Sequence, residues 1–263
     1  MSAESKAGAG ETPVASGLCP SASDAVAFLQ DCGPDPVERL GALRRAVPGR
    51  IVFTTSFGIE DQAITHFILD SRIDIEIVTL DTGRLFPSTY ALWAETEERY
   101  GVRIRSFHPK EPALSAFVAD AGINGFYFSK EARLGCCHVR KVEPLARALE
   151  GAAAWVTGLR ADQSGQRASV DLAAWDAERH LVKVAPLFDW SREQVADFCA
   201  TESVPVNALH AQGFLSIGCE PCTRALKPGE PERAGRWWWE SDEARECGLH
   251  VDADGKLTRR KAA

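Results

Sequence analysis

Between residues 51 and 157 the hydrophobic pattern keeps switching between a period of two and a period near 3.6, and this switching constrains the fold more than any other feature. Ile51-Val52-Phe53-Thr54-Thr55 is a short β-branched strand that runs into Ser56-Phe57-Gly58-Ile59-Glu60-Asp61. That turn opens an apolar-periodic helix from Gln62 to about Leu69. The unit recurs as strand 75–80, turn Asp81-Thr82-Gly83 and helix 87–100, then strand 102–107 and helix 112–121, and finally helix 140–149 feeding strand 153–157. Strands and helices alternating at this spacing predict an α/β fold, with a mostly parallel central sheet flanked by helices. Ligands of such sheets sit at the carboxyl ends of the strands, where Ser56, Asp81 and Gly158 fall.

The flanks read differently. Residues 1–20 are rich in Ala, Gly, Ser and Glu without periodicity, which predicts a disordered start. Ser23-Asp24 caps a short helix through Asp31, and Pro36 opens another that ends near Pro48-Gly49. The α/β domain is expected to span 21–228. Pro228-Gly229-Glu230-Pro231 marks a shift in composition, so 229–263 is expected to be a mobile tail, its base pinned to the domain by Trp237, Trp238 and Trp239. Asp252-Ala253-Asp254-Gly255 starts like a calcium loop but lacks the later Glu, and reads as a polar turn.

Charge and cysteine content narrow the chemistry. Acidic residues number 37 against 30 Lys and Arg, for a net charge of -7, which argues against a broad nucleic-acid or membrane surface but leaves room for a local cationic pocket. No apolar run approaches the roughly 20 residues of a membrane span. Residues 1–15 have neither the basic start nor the apolar core of a signal peptide, so the expected location is cytoplasmic. In that setting eight cysteines suggest metal or thiol chemistry rather than a disulfide scaffold.

Four groups of residues can carry that chemistry. The Ser56-to-Asp61 turn sets a hydroxyl and a glycine before a helix N-terminus, a setting for an anion, although an ordinary Ser-capped β-α turn has the same appearance. Cys136-Cys137 and Cys219-Glu220-Pro221-Cys222 supply four thiolates for zinc or an iron–sulfur cluster. Consecutive Cα atoms lie about 3.8 Å apart and their side chains diverge, so a 4Fe–4S cluster with several corners suits the adjacent pair better than one zinc ion. Buried thiols without a metal are the plain alternative. Arg140-Lys141, the loop from Gly158 to Arg167, and Arg233 with Arg236 concentrate positive charge near the proposed sheet edge, where Arg167 could grip a phosphate through a bidentate contact. Cys247 lies in Glu246-Cys247-Gly248-Leu249-His250, a candidate nucleophile if nearby cations lower its pKa, and otherwise a spare thiol. Cys19, Cys32 and Cys199 have no such setting.

Together these motifs, with Leu80-Asp81-Thr82-Gly83-Arg84-Leu85-Phe86-Pro87 and Thr157-Gly158-Leu159-Arg160-Ala161-Asp162-Gln163-Ser164, resemble the assimilatory sulfonucleotide reductases. The match covers about 50–250 and is specifically with the bacterial and plant-like adenosine 5'-phosphosulfate (APS) reductases. Relatives specific for the 3'-phosphorylated nucleotide (PAPS) typically lack both cysteine pairs, so four cysteines point to APS. The resemblance implies an adenine nucleotide α-hydrolase-like sheet and a 4Fe–4S cluster on Cys136, Cys137, Cys219 and Cys222. It also implies a nucleophile at Cys247, nucleotide contacts from Ser56, Gly158 and Arg167, and phosphosulfate contacts from Lys141, Arg233, Arg236 and His250. The implied activity is thioredoxin-dependent reduction of APS to sulfite and AMP through an S-sulfocysteine, in sulfate assimilation toward cysteine; a glutaredoxin-like reductant could replace thioredoxin. No nucleic acid and no membrane enter this reading, and whether the chain forms a homo-oligomer is left open. The chain departs from many relatives at Ser88, where they carry Glu, and around Gly135. Three alternatives stand beside it: PAPS reduction, a nucleotide-activating ATP pyrophosphatase on the same fold, and a non-enzymatic four-cysteine zinc module.

Overall fold

The computed structural model describes residues 21–240 and 249. Six strands form one sheet: β1 (Arg50–Thr55), β2 (Glu76–Leu80), β3 (Arg105–Phe107), β4 (Ala152–Val156), β5 (Ala173–Asp176) and β6 (Leu181–Val184). Their order is β3-β2-β1-β4-β6-β5, every neighbouring pair is parallel except β5 with β6, and the α/β expectation is met.

Period-two burial explains why helices cover both faces. Ile51 and Phe53 of β1 join one apolar cluster with Leu40, Leu43, Ile64 and Ile68, whereas Val52 joins the opposite cluster with Val78, Leu145 and Trp155. Each of these buried side chains contributes roughly 1.5–3 kcal/mol over an exposed one. The first cluster is covered by α1 (Ala22–Gln30), α2 (Pro36–Ala46), α3 (Ile59–Asp70) and α8 (Arg192–Thr201). Leu145 and Ala148 of α7 (Glu143–Ala148) pack in the second. Helix α4 (Pro87–Tyr100) matches its predicted bounds, opened by Pro87 and stopped by Gly101 at φ 65. Helix α5 (Glu111–Ala121) lies within one residue of expectation at its start. No helix among the described residues is long and apolar enough to cross a membrane.

The structure departs from the sequence reading in six places. Helix α1 is capped by Ser21, whose side chain accepts from Asp24 N, rather than by Ser23-Asp24. Helix α3 begins at Ile59 with Gly58 as its N-cap, so Glu60 and Asp61 belong to its first turn, where the helix dipole favours negative charge. Strand β3 is only three residues long. An unpredicted helix, α6 (Lys130–Cys137), is capped by the Ser129 side chain and runs through a π-turn (His138–Val142) into α7. The hairpin β5-β6 and helix α8 were also not read from the sequence.

The tail boundary is corrected in part as well. Residues 229–240, read as the start of a mobile tail, are held on the domain: Arg224 N donates to Gly235 O at 3.0 Å and Trp237 N to Cys222 O at 3.1 Å. Trp237 is buried and Trp239 packs beside it, as pinning requires, whereas Trp238 is 46% exposed and touches only the edge of this group, its ring centroid 5.6 Å from that of Trp239.

Candidate active site

A cavity of about 180 Å³ opens at the carboxyl ends of β1, β2 and β4. Ser56, Lys141, Gly158, Arg167, Arg233 and Arg236, all named as candidates from the sequence, line it together. Leu249 lines it too and packs beside the clusters beneath. Cys247 and His250 lie outside the described residues, as does Cys19.

The loop between β1 and α3 differs in one respect from the anion cradle read from sequence. Ser56 donates from its N–H and its hydroxyl to the same oxygen, Oδ2 of Asp61, at 2.6 and 2.7 Å. The anion held by these Ser56 donors is therefore the protein's own carboxylate. Burial pushes Asp61 up to about 6 despite those two hydrogen bonds. Phe57 holds the turn at φ 59, a left-handed conformation costly for a bulky residue, secured by a bond from its N–H to Thr55 Oγ1 and by stacking on Trp93. Glycine is required at 158, because a Cβ there would collide with the Asp61 carboxylate and stand 3.2 Å from Glu60 Cβ.

The cations come from separate parts of the chain. Lys141 projects from the π-turn, an irregularity often found at functional sites. Arg236 lies across Gly218, where any side chain would meet its guanidinium, and its Cζ stands 4.6 Å from the Trp237 ring centroid. The Arg133 guanidinium stands 4.6 Å from the same ring and bonds Glu240. Sequence reasoning missed Glu60, Arg160 and Glu232, which form a buried ion network beside the cavity. The one local signal was Glu60 in the first turn of a helix.

Cys136, Cys137, Cys219 and Cys222 line a second, small cavity with Phe126 and Trp237, and its exposed wall is almost wholly apolar. The first two close α6, and the other two bracket a 3-10 turn in which Cys222 N donates to Cys219 O at 3.0 Å. Arg84, Arg133, Arg140, Lys141 and Arg236 also line it. Burial opposes ionisation of Cys219, but Lys141, the Thr82 hydroxyl at 3.4 Å, Arg236 and Arg140 outweigh it and hold that thiol below its ordinary range. Burial and the neighbouring Cys219 push Cys222 up to about 12. Among the described residues no three His, Cys, Asp or Glu side chains stand together as ligands of one metal ion. Cys32 and Cys199, left without a role, belong to the other side of the molecule, with Cys199 buried in the core against α3.

Residues 50–225 match the family model of the phosphoadenosine phosphosulfate reductase domain. The chain is 62% identical over 203 residues to the adenosine 5'-phosphosulfate reductase of Agrobacterium fabrum, a span covering 77% of this chain and 78% of that one. It is 52% identical to the adenosine 5'-phosphosulfate reductase of Allochromatium vinosum over 76% of this chain and 78% of that one. Among solved structures, the phosphate complex of phosphoadenylyl-sulfate (PAPS) reductase from Candida auris aligns with a TM-score of 0.64 over 78% of this chain and 98% of that one. At 23% identity that likeness is one of fold.

Proposed function

The chain belongs to the phosphoadenosine phosphosulfate reductase domain family, and from that premise we propose that it reduces adenosine 5'-phosphosulfate to sulfite and AMP in sulfate assimilation. Thioredoxin, or a glutaredoxin-like protein, supplies the electrons. The observation that carries the reading is the meeting of Ser56, Lys141, Gly158, Arg167, Arg233 and Arg236 on one cavity, which Leu249, two residues after Cys247, also lines.

The Cys247 thiolate attacks the sulfur of the sulfate group. An S–S bond forms, the bond from that sulfur to the bridging phosphate oxygen breaks, and AMP leaves with the electron pair. Lys141, Arg233 and Arg236, with His250, hold the phosphosulfate and neutralise charge as it shifts to the leaving phosphate. Ser56, Gly158 and Arg167 hold the nucleotide. A reductant thiolate then attacks Cys247 Sγ, and sulfite departs with the electrons of the broken S–S bond. The second reductant thiol resolves the mixed disulfide, leaving an oxidised reductant and a free Cys247. For that exchange Leu249, which lines the cavity, has to move aside.

Cys136, Cys137, Cys219 and Cys222 fit a 4Fe–4S cluster by the chemistry of the donor set: four thiols line one cavity together with five cationic side chains that suit thiolate ligands. Such a cluster would supply structural and electrostatic support at the sulfate, since the two thiols of the reductant account for both electrons. Six free thiols among the described residues suit a reducing cytoplasm.

Single-turnover mixing of Cys247→Ser with APS is expected to give no AMP burst, and normal AMP release would overturn the assignment.

A further inference from the structure

Arg160 has a fully buried side chain, and each of its five N–H groups has a partner. Nε donates to Glu60 Oε1 at 2.9 Å; Nη1 donates to Asp162 Oδ2 at 3.2 Å and Trp190 O at 3.4 Å; Nη2 donates to both oxygens of Glu232, at 3.1 and 2.9 Å. These acceptors come from the first turn of α3, from the loop after β4, from the approach to α8, and from the returning segment after Pro228. One guanidinium thus ties together four separate stretches of chain.

The network extends to the substrate cations at both ends. Gln163 donates to Glu60 Oε1 at 3.1 Å and accepts from Arg160 N at 3.2 Å and from Arg167 Nη1 at 2.5 Å. Glu232, which also faces Arg192 at 3.6 Å, immediately precedes Arg233. Arg167 and Arg233 both line the substrate cavity, yet they are 66 residues apart in the chain. A buried ion network is an inefficient source of stability, because desolvation offsets most of its attraction. Its particular use is to admit one arrangement of the groups it joins.

We propose that Arg160 is a positioning residue that fixes the spacing between the nucleotide grip at Arg167 and the phosphosulfate grip at Arg233, by holding Glu232 and Glu60 on one guanidinium. The inference rests on the substrate reading given under Proposed function.

Two variants of the full-length enzyme test it, Glu232→Gln and Arg160→Lys. Glu232→Gln removes the charge that anchors the returning segment, while Arg160→Lys keeps the positive charge but replaces the planar fork with a single ammonium. AMP keeps the nucleotide and lacks the sulfate, so it reports on the nucleotide grip alone. In each variant the KM for APS is expected to rise about tenfold with kcat within about threefold of wild type, and AMP binding to weaken less than threefold. Equal weakening of APS and AMP, a fall confined to kcat, or no change in a folded variant would overturn the proposal. Loss of the folded circular dichroism spectrum in both variants would overturn it too, by making the network a stability element. Wild-type enzyme that binds AMP but neither binds nor turns over APS would instead show that the substrate reading is at fault.

Discussion

The two cavities share Lys141, Arg236 and Trp237, and both are lined by arginines, but they differ in what those cations face: hydroxyls and carboxylates in the larger, four thiols in the smaller. The larger is assembled from β-α loops and lined by hydroxyls, carboxylates and arginines, each placed by named hydrogen bonds such as those from Ser56 to Asp61. The smaller is assembled from a helix end and a 3-10 turn, with thiols and aromatic rings placed by burial. In the first, position is set by directional bonds, so single polar changes should alter substrate handling. In the second, it is set by packing, so changes should alter whatever the thiols hold. The shared cations are where the two should communicate.

The largest expected effect separates the thiol cavity from the rest of the molecule. After anaerobic purification, Cys219→Ser should lose nearly all the iron and the broad visible absorption of the wild type, whereas Cys199→Ser, buried in the other cluster, should keep both. Equal colour in the two variants would remove the basis for treating the small cavity as a cluster site. Next comes the shared wall. Arg236→Ala should lower kcat/KM for APS by about two to three orders of magnitude and also shift the visible spectrum. Arg167→Ala should lower kcat/KM by about tenfold to a hundredfold with the spectrum unchanged, because Arg167 lines only the larger cavity. A spectrum that ignores Arg236→Ala would show that the cavities do not communicate through it.

Two smaller effects belong to the polar cavity. Asp61 is raised in the folded state to about 6 from an ordinary 3.8, so the native state binds its proton more tightly than the unfolded chain does. Stability from this group is therefore full below about pH 4 and falls as pH rises to about 6, by up to about 3 kcal/mol. Asp61→Asn should accordingly gain stability over wild type across that window and hold a constant gain above it, as urea titrations at several pH values would measure. A gain that shrinks with rising pH would contradict the assignment. Gly158→Ala should cost about 1–2 kcal/mol of stability by thermal denaturation, because the added methyl meets Asp61 and Glu60. Its visible spectrum should stay that of the wild type, since residue 158 does not line the thiol cavity.

What was legible in the sequence followed local rules. The bounds of α4 came from Pro87 and Gly101, and the placement of Ser56 and Gly158 on the cavity came from the ends of two short apolar strands. What was missed depends on partners far along the chain. Nothing near Arg160 announces that Glu232 will complete its bonds, and nothing near Glu240 announces Arg133 as its ion-pair partner. The hairpin β5-β6 turns through His180 at φ 53 rather than through an Asn-Gly or Asp-Gly pair, so its usual signature is missing. Residues 229–240 look like a tail because Pro and Gly punctuate their start, yet Trp237 is buried by side chains from elsewhere in the fold.

The sequence by itself determined the alternation of strands and helices, the loops that end on the sheet's carboxyl edge, and the residue types available for anion and thiol chemistry. These follow from hydrophobic period, turn residues and side-chain chemistry, all of which act over a few neighbouring residues. Only the tertiary structure decided that Asp61 occupies the donors of Ser56, that three side chains serve two cavities, and that one buried guanidinium joins α3 to the segment carrying Arg233. The first is a local turn whose geometry and burial no spacing rule specifies, and the other two rest on desolvation and hydrogen-bond geometry between distant segments, which do not exist until the chain has closed around them.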